Sequence, residues 1–218
     1  MKKYMLTNES IEYGDITLHR IKAIRSFDNV SEGELGGWIE KEENLSHEGN
    51  CWIADEAKVF GDAVVSENAR LYDDTEVAGN AEIDGNAKLT EHAVACGHCF
   101  VYGNAEVSGE ANVSGYTKLG GNAKIYGDVS LYGDAWVTGE AQITSFRDVF
   151  WCANVGSSIY TIAAYRTRTG EIEIELHDFK GTVDEFRAYM SKTNDYDQYA
   201  QEYQLLIQFI ELRFRGDE

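Results

Sequence analysis

An aliphatic residue returns at every sixth position through the middle of this chain. The set is Ile53, Val59, Val65, Leu71, Val77, Ile83, Leu89, Val101, Val107, Val113, Leu119, Ile125, Leu131, Val137 and Ile143, broken only by Ala95. Two positions before each stands a small residue, Ala in eleven of the sixteen slots. Side chains of a strand alternate, so the small residue and the aliphatic share one inward face. Between hexads sits a turn dipeptide, usually Gly-Asn or Gly-Asp, where Gly takes a positive-φ corner without a Cβ penalty. An internal repeat of this kind fixes architecture before local propensity does. Three short strands and three corners make one coil of eighteen residues, and the pattern predicts a mainly β, triangular parallel solenoid.

Stacking residue n over residue n+18 sorts the outward positions into three faces. The first, with Trp52, Arg70, Tyr72, Lys88 and Lys124, reads as solvated. The second, with Lys58, Val94, Asn112 and Ser130, reads as mostly small and flat. The third carries Phe100, Tyr102 and Trp136. Outward aromatics on a flat sheet point to a covered surface, under another subunit or the C-terminal helices. Cross-strand packing of the aromatics among themselves is the alternative.

The flanks break the rhythm. Ile11-Glu12-Tyr13, Gly14-Asp15 and Ile16-Thr17-Leu18 form a two-residue hairpin signal. Phe27 to Gly37 reads as loop, and Trp38-Ile39 begins the coils, with one enlarged corner at Ser46–Asn50. After Ile143, Asp148–Val155 and Ser158–Thr167 read as strands, and Glu171–Leu176 alternates an apolar with an acidic face. Thr182 and Glu185 form a capping box for a short helix to about Lys192. Asn194 or Asp195 then caps a longer one, whose stripe is Tyr196, Tyr199, Ala200, Tyr203, Leu206, Ile207, Ile210 and Phe214. The expected organisation is a β-hairpin cap over residues 1–38, the solenoid over 39–145, and a C-terminal α+β unit over 146–218.

Composition narrows the function. The formal charge is −19, and residues 45–147 hold 6 basic against 16 acidic side chains. Such a surface repels nucleic acid and anionic membrane and suits a basic protein partner. No Pro occurs, which fits strands that all need their amide hydrogens. No signal peptide and no membrane span are legible, so a reduced cytoplasmic setting is expected for the four cysteines. Cys96-Gly-His-Cys99 mimics a redox or metal motif, but Cys99 takes the inward slot, Cys96 points out, and no second ligand pair supports a metal.

The hexad resembles the hexapeptide-repeat superfamily, whose members form left-handed parallel β-helices. The handedness is an implication of that resemblance. Leu35–Ser46 with His47–Asn50, the Val101–Ala105 type of hexad and the segment Phe179–Phe186 further resemble a narrower, uncharacterised family of phages, prophages and bacteria, often labelled transferase-like. A label resting on the repeat alone is a fold analogy.

Two readings of function follow. In the acyltransferases that the hexad resembles, a His acts as general base and acyl-CoA lies between subunits. The candidates here are His47 in the enlarged corner, and His92 and His98 at ordinary corners. No long projecting loop and no basic cluster for a CoA phosphate accompany them. The preferred reading is a non-catalytic acidic interaction protein without cofactor, expected as a homo-oligomer and, if phage-encoded, directed at a host protein or ligand in the host cytoplasm. Its partner-binding candidates are one corner column, Asp55, Glu56, Asp73, Asp74, Glu91, Glu110 and Asp128, together with Phe100, Tyr102 and Trp136. Plain solvation of the acidic corners is the alternative. A second column, Asn68, Asn86, Asn104 and Asn122, suits an amide ladder.

Overall fold

The computed structural model describes residues 1–156, 160–192 and 196–215. The hexads form stacked parallel coils, and residue n pairs with n+18 throughout: Trp52 with Arg70, Val64 with Glu82, Glu76 with Val94, Lys118 with Trp136. All sixteen sixth-position residues, Ala95 included, are buried, as are the small residues two places before them. Their stacking makes one continuous core along the solenoid axis. At the enlarged corner the offset grows by two, since Ile39 pairs with Val59 and Leu45 with Val65.

The corners show why glycine and acids alternate there. Gly85 stands at φ +64°, and a Cβ on it would lie 2.6 Å from the amide nitrogen of Gly103 one coil on. At three corners where an acidic residue takes the same backbone conformation, its carboxylate offsets the strain. Asp55 (φ 52°) accepts the amide hydrogen of Asp73, Asp73 (φ 55°) that of Glu91, and Glu67 (φ 54°) that of Gly85. The Asn column forms the expected ladder: Asn68 donates to Asn86, Asn86 to Asn104, Asn104 to Asn122 and Asn122 to Glu140.

The N-terminal hairpin, Tyr4–Tyr13 with Ile16–Ala23, joins the second face through Leu35–Ile39, so this strand starts three residues before the expected coil entry. One expectation fails here. Trp52 is not solvated but 2 % exposed, because the preceding loop folds over the first face and sets Phe27 edge-on 5.6 Å away. Asp28 of that loop pairs with Arg70 at 2.6 Å. At the open end of the first coil the fully buried Lys3 reaches the carbonyls of Glu48 and Gly49 and the sulfur of Cys51. Burial there holds its ammonium below the usual lysine range.

The other end is closed by a four-stranded antiparallel sheet, Val149–Ala153, Thr161–Arg166, Ile172–Leu176 and Phe179–Thr182. Alternation gives this sheet two jobs. Ala163 and Tyr165 join the solenoid core, while Ile162 and Ala164 face two helices, α1 (Val183–Met190) and α2 (Tyr196–Phe214). The capping box of α1 forms as read, and the buried stripe of α2 contains Tyr203, Leu206, Ile207, Ile210 and Phe214. The expected caps Asn194 and Asp195 lie outside the described residues, as does Ser158. The alternation of Glu171–Leu176 forms as read, with Glu171 exposed and Glu173 partly so, while Glu175 is 7 % exposed because its end of the acidic face meets Thr138 of the last coil. Its carboxylate accepts from Tyr165 (2.7 Å) and Thr138 (2.8 Å), and Lys180 stands 3.6 Å away. No described helix is long and apolar enough to cross a membrane.

Candidate binding cleft

The third face carries a strip of unlike side chains in register. Glu82, Phe100, Lys118 and Trp136 succeed one another coil by coil. Phe100 stacks on Tyr102 with centroids 4.6 Å apart and planes 16° apart. Tyr102 in turn covers Gly120, where a Cβ would collide with the ring. The Lys118 ammonium sits 5.5 Å from the centroid of Trp136.

At its far end the strip runs into a recess of about 670 Å³ where the C-terminal sheet meets the coils. The coils contribute Tyr116, Lys118, Asp134 and Trp136, and the C-terminal unit contributes Asn154, Tyr160, Thr161 and His177. Tyr116 is backed by His98 in a parallel stack at 4.9 Å, and Tyr160 by His177 at 4.0 Å. Asn154 (φ 58°) and His177 (φ 49°) hold left-handed turn conformations beside strand ends. The shielded indole N–H of Trp136 has no acceptor among the described residues. A site of this composition offers flat apolar surfaces bordered by a few convergent polar groups, the usual make-up of a recognition pocket.

The three histidines singled out from the sequence stand apart from one another. His47 belongs to the N-terminal closure: its Nδ1 accepts from the Lys3 amide, its ring lies 4.3 Å from Tyr4, and Glu42 is 3.8 Å away. Burial, opposed by Glu42, holds it below the usual histidine range, so the neutral ring serves as an acceptor. His92 is exposed on a convex corner, 3.8 Å from Asp74. His98 touches the recess only through Tyr116.

The seven carboxylates do line one edge, in unequal circumstances. Asp55 and Asp73 are bound to amides of the next coil. Glu56 is held by Arg20 (2.8 Å) and the indole of Trp38 (2.9 Å), and these two donors keep it below the usual carboxylate range. Asp74 has His92 alone, while Glu91, Glu110 and Asp128 are exposed, with no side-chain partner among the described residues. Cys99 is buried, which pushes its thiol up to about 12, and half-buried Cys96 is raised for the same reason, so neither has thiolate character at neutral pH.

Trp136 was reachable from sequence as an outward aromatic. Lys118 is visible only as an ordinary outward position and Asp134 only as part of a Gly-Asp corner, and Asn154, Tyr160, Thr161 and His177 carry no site signal, because their place depends on how the C-terminal sheet docks.

No family model matches the chain. A protein of Escherichia coli (strain K12) named "Uncharacterized acetyltransferase YdcK" is 41 % identical over 80 residues, which is 33 % of this chain. The chain covers 24 % of that relative's length. Together with the eighteen-residue coils, this likeness fits the hexapeptide-repeat superfamily of left-handed β-helices.

Proposed function

We propose that this protein is a non-catalytic interaction module that grips a partner along its third face. The observation that supports this best is the continuity of Phe100, Tyr102, Lys118 and Trp136 with the aromatic-walled recess. Such a track gives a bound segment stacking area together with the Lys118 ammonium and the Asp134 carboxylate. A general base needs an orienting partner inside a sheltered site. His47 is committed to the N-terminal closure and His92 stands in the open, so neither supports catalysis. The exposed acids of the corner edge add long-range attraction for a basic protein and favour its association rate. The phage-like segments make a host protein the expected partner.

Acyl transfer is the second reading, and the relative's name is the observation that favours it. Under it, acyl-CoA enters the recess and His177, which lines it, takes the acceptor's proton, with His98, behind Tyr116, as the corner histidine nearest to it. Two assays separate the readings. The parent and a Lys118→Ala/Trp136→Ala variant are used as bait in lysate, and both are incubated with acetyl-CoA and mixed amine acceptors while thiol release is followed. A binding module loses its captured partner in the variant, keeps its melting temperature within a few degrees, and releases no CoA above background. Release of CoA that disappears in His98→Ala or His177→Ala would overturn the binding reading.

A further inference from the structure

Helix α2 is apolar on both sides. One side is buried against the sheet, yet Leu205 (59 % exposed), Phe209 (46 %) and Leu212 (65 %) form a second stripe at i, i+4 and i+7. The outer face of a surface helix in a monomer is normally polar. This stripe is not isolated. The Phe209 ring lies 4.9 Å from Phe150, which borders a hollow of about 600 Å³ together with Tyr132, Phe146 and Trp151. Tyr132 and Phe146 are 60 % and 65 % exposed. The result is an apolar ridge beside an apolar hollow on one contiguous surface, separate from the cleft of the third face.

A second observation points the same way. The sheet of the second face ends at Ser130–Leu131, which pairs with Asn112–Val113 and with no strand beyond among the described residues. Ser130 borders the hollow. An unpaired strand edge next to exposed aromatics is a surface that needs cover.

Charge decides what covers it. The chain carries −19, yet the hollow holds one cation, Arg213, and one anion, Asp128, and the three α2 side chains are uncharged. A basic partner gains nothing here that the acidic corners do not offer better. Two copies of the same acidic chain, by contrast, meet with least repulsion where each presents a locally neutral patch. A ridge and a hollow side by side also satisfy a two-fold contact, in which the ridge of each copy enters the hollow of the other. We infer that this surface, α2 with the strand Val149–Ala153, is the seat of a second copy of this chain.

The test is sedimentation velocity on the full-length chain over a range of micromolar concentrations. A species of twice the 24.4 kDa chain mass is expected. Phe209→Glu/Leu212→Glu weakens it by about a hundredfold, roughly tenfold for each side chain. Phe209 also packs on Phe150, so Leu205→Glu/Leu212→Glu, which leaves that contact intact, is measured beside it and must weaken the dimer too while its melting temperature stays close to that of the separated parent. Ile24→Glu, an exposed apolar position at the opposite end, leaves the dimer intact. Added salt strengthens the dimer by screening like charges, whereas it weakens a contact made by the acidic edge. A parent that stays monomeric at every concentration overturns the inference, and so does a dimer that survives the double substitution or responds equally to Ile24→Glu.

Discussion

Replacing Val113 by Asp tests the register of the whole solenoid at one atom group. Val113 is fully buried in the inward column between Ala95 and Leu131. Removing its side chain from the core forfeits about 1.5–3 kcal/mol of burial. The incoming carboxylate finds no donor, because the amides around it are committed to neighbouring coils, as Cys96 donates to the carbonyl of Val113. An uncompensated buried charge costs about 3–5 kcal/mol, whether it is carried ionised or avoided through a raised pKa. The sum, roughly 5–8 kcal/mol, rivals the whole stability of a typical domain. Lys124→Asp, by contrast, breaks a half-exposed pair with Glu106 at 2.9 Å and sets two carboxylates in register, effects that solvent screening limits to about 1 kcal/mol or less each. Circular dichroism melts read the difference, and hydrogen exchange shows whether protection fails first in the coils holding Ala95, Val113 and Leu131, as nearest-neighbour coupling requires. Equal melting shifts for the two variants would refute the inward assignment.

Other consequences are open to measurement. Gly14→Ala carries only the left-handed strain of about 1–2 kcal/mol, since nothing lies near its Cβ, whereas Gly85→Ala adds a backbone clash and destabilises more in urea titrations; equal losses contradict the Gly-on-Gly corner. Burial, opposed by bonds from Tyr165 and Thr138, holds Glu175 above the usual carboxylate range. A folded-state pKa raised above the unfolded one contributes stability that is fully present below the ordinary range and is lost as pH rises through the raised value. The parent should therefore show a downward step in melting temperature over that window, and Glu175→Gln should lack it; parallel pH profiles would contradict the assignment. Asp73→Asn/Asp74→Asn/Glu110→Gln should leave the fold intact, because the first of these changes keeps a side-chain oxygen for the Glu91 amide, while slowing association with a basic partner and flattening its salt dependence. Unchanged association kinetics would remove the acidic edge from recognition.

The coils were legible because a solenoid repeats one local solution, so each hexad reports the same inward pair and the same corner. The flanks were less so, for a physical reason. Trp52 occupies an outward register position, and only the return of Phe27 across the first face buries it. Glu175 sits on the polar side of an alternating strand, and only docking against Thr138 takes it out of water. Both depend on tertiary contacts that period and propensity do not encode. The same holds for the cleft: Phe100, Tyr102 and Trp136 could be assigned to one face, but the opposite wall from Tyr160 to His177 is set by sheet packing. On α2 the buried stripe is readable at helical spacing, while Leu205, Phe209 and Leu212 fall between its positions, where apolar residues carry no signal of a second face.

The acidic corners illustrate how structure divides a sequence column that looks uniform. Stacked like charges about 4.8 Å apart repel, so each needs a compensating reason to stand there. For Asp55 and Asp73 the reason is local: a left-handed corner without glycine gains a charge-assisted bond to the next coil's amide, as Glu67 does at the corner of the Asn column. For Glu56 it is Arg20 and Trp38, which fasten the N-terminal hairpin to the second face. These acids would be present in a solenoid with no partner at all. Asp74, Glu91, Glu110 and Asp128 have no such account. Glu91 takes its left-handed corner (φ 63°) with an exposed carboxylate, and at the two corners beyond it Gly109 and Gly127 carry the turn, leaving Glu110 and Asp128 exposed beside them. Recognition, where it uses this edge, rests on those four, and Asp128 is where the edge runs down to the neutral hollow beside α2.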